Sequence, residues 1–200
     1  MTLEMDTPNG VCRGSSVYQV SARKRAALAP TGEAREWYVS GEAVAVVLPD
    51  GKSLFALLRT AAIHSDLAGM SMSTLDPAFR NDMIESAQRI ANKEGIRSPA
   101  TVPITEYPVL VTFEDVAVPV SVEVIKPAKL FTRLGSGVRL ASIKVEVTDD
   151  AVTTGLKQRL PWLTKGSPHL ATGPRLIANP DPYDHSIVAT LAFGDFLAEE

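Results

Sequence analysis

The sequence predicts an α+β domain of two layers, in which an antiparallel β-meander of about four to six strands is covered on one face by two helices. Three observations lead there. Apolar residues alternate with polar ones between about Tyr107 and Thr148, the period of a half-covered strand. Two preceding stretches carry apolar residues at spacings of three and four, the period of a helix face. The composition, 45% hydrophobic and 22% charged over 200 residues, is that of a chain able to bury a core.

Along the chain, residues 1–14 hold Pro8, Asn9, Gly10 and Gly14 and read as an irregular N-terminal arm. A core follows over residues 15–160. It opens with a short strand at Ser16–Ser21 and an Ala-rich helical turn after Arg23-Lys24-Arg25, stopped by Pro30 and Gly32. Glu42 to Leu48 reads as a buried strand, halted by Pro49-Asp50-Gly51, a strong turn signal. Asp50-Gly51 could close a hairpin, yet Ser53 can also cap a helix that aligns Leu54, Leu57, Leu58, Ala61 and Ala62. Length and alanine content favour that helix. A second helix is expected from Asp76, as N-cap with Pro77 behind it, to Gly95, with Phe79, Met83, Ala87, Ile90 and Ala91 as its apolar stripe.

Within the meander, Val109, Val111 and Phe113 alternate, and Val116, Val118, Val120, Val122 and Val124 share one parity. Pro119 cannot donate to a ladder, which marks that strand as an edge or as bulged there. Lys129–Leu134 and the run Ala141, Ile143, Val145, Val147 read as two strands of a hairpin turned by Gly135-Ser136-Gly137. Asp149-Asp150 can cap a short helix to about Leu160. Residues 161–200 form a Pro/Gly-rich segment that ends in the apolar run Ile187–Phe193, expected to pack.

Charge and cysteine usage exclude broad classes. A net charge of −3 supplies no field toward polyanions. Lys126, Lys129, Arg133, Arg139 and Lys144 could make a basic stripe, but Glu123 and Glu146 interleave with it and only Phe131 could stack on a base, so nucleic acid is not an expected partner. The lone Cys12 fits a reducing cytoplasm. Neither a leader pattern nor an apolar run of membrane-spanning length is read, so no membrane role is expected.

The candidate chemistry lies in Asp181, Asp184 and His185, two carboxylates and an imidazole in one loop, with His64 as a distant contributor. These residue types serve general acid/base work. Pro180 and Pro182 weigh against convergence there, because they bar the helical geometry that would aim Asp181 and His185 together and are ordinary turn chemistry. His64 and Asp66 also sit too close in sequence to face each other on a helix. No metal or cofactor site is assigned, and no cofactor is implied by any pattern. The leading functional expectation is a non-catalytic interaction or assembly domain that forms oligomers or binds another protein through its arm, the edge near Pro119 and the final apolar run. The alternative is a small-molecule-binding protein or small hydrolase- or isomerase-like enzyme with a pocket between sheet and helices.

Overall fold

The computed structural model describes residues 1–25, 34–60, 66–79, 82–165, 176 and 187–198. In chain order its elements are β1 (Thr2–Thr7), β2 (Gly10–Ser15), β3 (Gln19–Arg25), β4 (Ala34–Glu42), β5 (Val44–Val47), β6 (Ser53–Thr60), α1 (Leu67–Leu75), α2 (Met83–Ala91), β7 (Ala100–Thr101), β8 (Pro108–Phe113), β9 (Val122–Val124), α3 (Leu130–Leu134), β10 (Arg139–Val145), α4 (Leu156–Arg159), α5 (Ile187–Thr190) and β11 (Leu197–Ala198). Eleven strands thus form three antiparallel sheets, ordered β2-β1-β10-β7, β11-β4-β3 and β5-β6-β8-β9, with five short helices among the described residues. This β-rich architecture replaces the expected two-layer meander under two helices.

The sheet β5-β6-β8-β9 lies between two cores. Leu54, Ala56, Val44, Val46 and Leu110 face one, shared with Leu3, Met5, Ile143 and Val145 of the β2-β1-β10-β7 sheet and with Leu67 and Met70 of α1. Phe55, Leu57, Val109, Val111 and Phe113 face the other, with Leu160, Trp162, Leu191 and Phe196. Aromatic rings fill this second core edge to face, Phe55 against Phe113 at 5.6 Å and Trp162 against Phe196 at 5.3 Å, the geometry that ring quadrupoles prefer.

That double cover explains the first correction. Residues 53–62 were expected to be helical, but Ser53–Thr60 is strand β6, paired to β5 and β8. With both faces buried, β6 carries apolar residues at both parities, so its pattern loses the period of two that marks a half-covered strand. The hairpin alternative at Asp50-Gly51 is the one realised: the Leu48 N–H donates to Lys52 O at 2.8 Å and Gly51 adopts φ +85°.

The expected Asp76–Gly95 helix is also divided. Asp76 ends α1 as its C-cap, its N–H donating to Met72 O, while Asp82 caps α2 through the amides of Ile84 and Glu85. The Asp76 carboxylate is buried and accepts from Ser86 Oγ at 2.8 Å and from Arg89 Nη2 at 2.6 Å, so it ties the two helices together. Burial pushes its pKa up, but Arg89, Ser86 and the Ala78 amide outweigh burial and leave it below the ordinary value.

Residues 1–14 are a hairpin and not an arm. Met1, Leu3 and Met5 are buried on its inner face, and β1 is flanked by β2 and β10. Gly14 is required at the crossing of β2 over β5, since a Cβ there would lie 2.1 Å from the Ala45 carbonyl oxygen. On the outer face Glu4 accepts from Arg13 Nε at 2.7 Å, Ser142 Oγ at 2.8 Å and Lys144 Nζ at 3.1 Å.

The stretch Val116–Val124 is a strand only over Val122–Val124; before it the chain makes a loop with a 3-10 turn at Pro119–Ser121. Lys129–Leu134, expected as a strand, is the last residue of a 3-10 turn at Pro127–Lys129 followed by the helix α3, so Gly135-Ser136-Gly137 links a helix to β10. Asp149-Asp150 does not cap a helix; α4 begins at Leu156 with Gly155 before it. In β10, Ile143 and Val145 are buried as their alternation predicts, whereas Ala141 is exposed. A bulge opposite Glu4 and Met5, which pair with Ser142 and Leu140, skips it. The final apolar run packs as expected, with Ala189 and Leu191 buried. No helix among the described residues is long and apolar enough to cross a membrane.

Two measurements check this account. Leu3→Ala is expected to cost about 2–5 kcal/mol in urea unfolding, the range for emptying a buried leucine site; a loose arm would give almost no change. Hydrogen bonds from Ser142, Lys144 and Arg13 lower the Glu4 pKa from 4.5 to about 2. A pKa depressed in the folded state contributes stability above the unfolded value and loses it as pH falls. Stability of the protein should therefore drop between pH 4.5 and about 2 more steeply than that of Glu4→Gln.

Candidate functional site

The residues singled out for catalysis, His64, Asp181, Asp184 and His185, lie outside the described residues, as does His169. Among the described residues no group of three or more histidine, cysteine, aspartate or glutamate side chains could hold a metal ion. Cys12 is half-buried on β2.

A cleft of about 370 Å³ opens where the β1–β2 hairpin, the start of β3, the helices α1 and α2 and the end of β10 meet. Val17, Val20, Leu75, Ile90, Val145 and Val147 give it apolar walls, while Ser16, Tyr18, Ser71, Glu146, Thr148 and Asp150 supply its polar groups. A volume in the range of about 300–1,000 Å³ with a few convergent polar groups is the usual form of a small-molecule site.

Local structure sets each wall. Val145 closes β10 on its buried parity, and the following Glu146, Val147 and Thr148 leave the ladder. The Val147 N–H is held by Ser98 Oγ at 2.8 Å. The link from β2 to β3 is fixed at both sides: Ser16 and Met1 exchange backbone bonds of 3.0 and 2.8 Å, and Val17 exchanges bonds with Thr153 of 2.8 and 3.0 Å. Ser71 lies on the buried face of α1, whose N-cap Asp66 accepts from the Gly69 amide and from Trp37 Nε1.

At the floor, Tyr18 Oη and Ser71 Oγ are 2.6 Å apart, and Ser71 donates its own proton to Leu67 O at 2.7 Å. Tyr18 is therefore the donor within the pair. Burial raises its pKa to about 12, with the Ser71 bond a smaller, opposing influence, so the phenol keeps its proton. At the rim Thr148 Oγ1 donates to Asp150 Oδ2 at 2.7 Å.

None of these groups stood out in the sequence. The one signal was Tyr18 among serines and valines, because a buried tyrosine hydroxyl demands a partner. The partner, Ser71, is 53 residues away. No family model, curated protein or solved structure matches the chain.

Proposed function

We propose that the protein is a small-molecule-binding protein whose site is the cleft over the Tyr18–Ser71 pair. The observation that carries this reading is the cleft itself, with valine, leucine and isoleucine walls around a satisfied hydroxyl pair. Removing an apolar ligand from water against such walls contributes roughly 25 cal/mol per Å² buried, and the fixed hydroxyls orient it. It is the alternative drawn from the sequence, a pocket between sheet and helices, in a cytoplasmic setting consistent with the single Cys12. The assembly reading rested on an arm, an edge strand at Pro119 and a terminal apolar run, and these are a core hairpin, a loop and packed core. Ligand-observed NMR with a fragment library tests the proposal. Hits should compete with one another and vanish in Thr148→Trp, which fills the mouth from an exposed position. A library without hits, or hits indifferent to that substitution, would sink it.

A second reading, self-association, is favoured by the loop between β8 and β9. Val116, Val118 and Val120 are 39%, 42% and 59% exposed, yet the loop is pinned. Ser121 Oγ donates to the Asp115 and Val118 carbonyls at 2.8 and 2.7 Å, the Ala117 amide donates to Asp115 Oδ1, and Trp162 Nε1 donates to Val116 O. A preorganised apolar loop loses little entropy on docking. Beside the adjacent groove the charges are paired within the chain, Arg133 with Glu123 at 2.6 Å and Lys52 with Asp50 at 3.0 Å, which leaves the exposed valines as the self-complementary patch a two-fold interface needs. Sedimentation equilibrium should show a dimer that dissociates in Val118→Asp/Val120→Asp; a monomer at every concentration would rule the reading out.

A further inference from the structure

We infer that the cleft takes an organic cation, an ammonium or guanidinium head on an apolar body; this rests on the small-molecule reading above. The argument is an accounting of protons. Each hydroxyl that lines a cleft offers one donor and two acceptor lone pairs. Here Ser71 gives its proton to Leu67 O, Tyr18 to Ser71 Oγ, Ser16 to Glu42 O at 2.7 Å and Thr148 to Asp150. Four hydroxyl protons are thus committed inside the protein, and what those oxygens can still offer is lone pairs. The amides of Ser16, Val17 and Val147 are likewise taken, by Met1 O, Thr153 Oγ1 and Ser98 Oγ. The α-amino group of Met1, the cationic group in the lining, gives one of its three protons to Ser16 O and is within electrostatic reach of Glu146.

The lining also holds the hydroxyls of Thr2 and Ser15 and the ammonium of Met1, so it is at the Ser16, Tyr18 and Ser71 oxygens that a ligand has to bring the hydrogen-bond donors, because a polar group left unmatched on burial is costly. The rim sets the sign of its charge. Glu146 and Asp150 stand there, and no lysine, arginine or histidine side chain lines the cleft among the described residues. The basic side chains on and just after α2 are engaged elsewhere, Lys93 with Asp149 at 3.3 Å and Arg89 with Asp76. An anion would meet two carboxylates and lone pairs, with the amino group of Met1 as its counter-charge. A cation meets acceptors at the floor and carboxylates at the mouth, and its apolar portion meets Val17, Val20, Leu75, Ile90, Val145 and Val147.

Three probes of equal chain length separate charge from apolar burial: hexylammonium, hexanol and hexanoate, each titrated while the methyl resonances of Val17, Val145 and Val147 are followed by NMR. Hexylammonium should bind about tenfold or more tighter than hexanol, with hexanoate weakest. The ammonium affinity should fall about tenfold in Glu146→Gln/Asp150→Asn, as two partly screened charge pairs are lost, and hexanol should be unaffected. Added salt should weaken the ammonium alone. Equal binding of the three probes at these methyls would overturn the cationic class while leaving the pocket standing. If no probe moves these resonances, the small-molecule reading fails with it.

Discussion

The sheet β5-β6-β8-β9 is buried on both faces, and the remainder of the molecule is arranged to keep water off it. Its strands place alternate side chains into two separate cores, Leu54 and Ala56 into one, Phe55 and Leu57 into the other. Each face of a sheet that is apolar needs its own cover. The β2-β1-β10-β7 sheet and α1 cover the first, and the segments around Trp162 and Phe196 cover the second. This is why residues near both ends of the chain, Leu3 and Phe196, have no exposed surface.

The cleft is a by-product of that cover. The outer sheet and the helices approach the central sheet from neighbouring directions, and where the ends of β2 and β10 meet α1 and α2 the side chains do not close the gap. The helices are held there by apolar packing, Leu67, Met70 and Leu75 of α1 in the first core and Ala68 and Met72 against Met83 of α2, and by polar contacts beside it. Asp76 joins α1 to α2 through Ser86 and Arg89, and Tyr18 joins β3's approach to α1 through Ser71. The same bonds that fix the scaffold use up the protons of these hydroxyls, so what the floor of the cleft presents follows from how its walls are held.

Several features were legible in the residues. The Asp50-Gly51 turn, the buried alternation of Ile143 and Val145 and the packing of the last apolar run all appear where their patterns put them. Other signals misled for physical reasons. Leu3 and Met5 alternate with Thr2, Glu4 and Asp6, a strand pattern hidden by the turn residues that follow it. The valines from Val116 to Val120 alternate faithfully yet form an exposed loop, since Pro119 and the Asp115–Ser121 bonds hold the backbone out of the ladder. Asp76-Pro77 looks like the start of a helix and is the end of one, because the Asp82 side chain caps the next helix instead.

The sequence by itself determined what depends on neighbours along the chain: an antiparallel, turn-punctuated fold, enough apolar residues to bury a core, the tight turn at Asp50-Gly51 and a net charge that supplies no strong field toward polyanions. Only the tertiary structure decided whether an unbroken apolar run such as Ser53–Thr60 is strand or helix, because the answer lies in whether both of its faces find cover. It also brought the cleft together. Tyr18 and Ser71 are ordinary residues in distant stretches, and what their oxygens offer is set by where each proton goes, that of Tyr18 to Ser71 Oγ and that of Ser71 to Leu67 O, a distance in space that no spacing along the chain encodes.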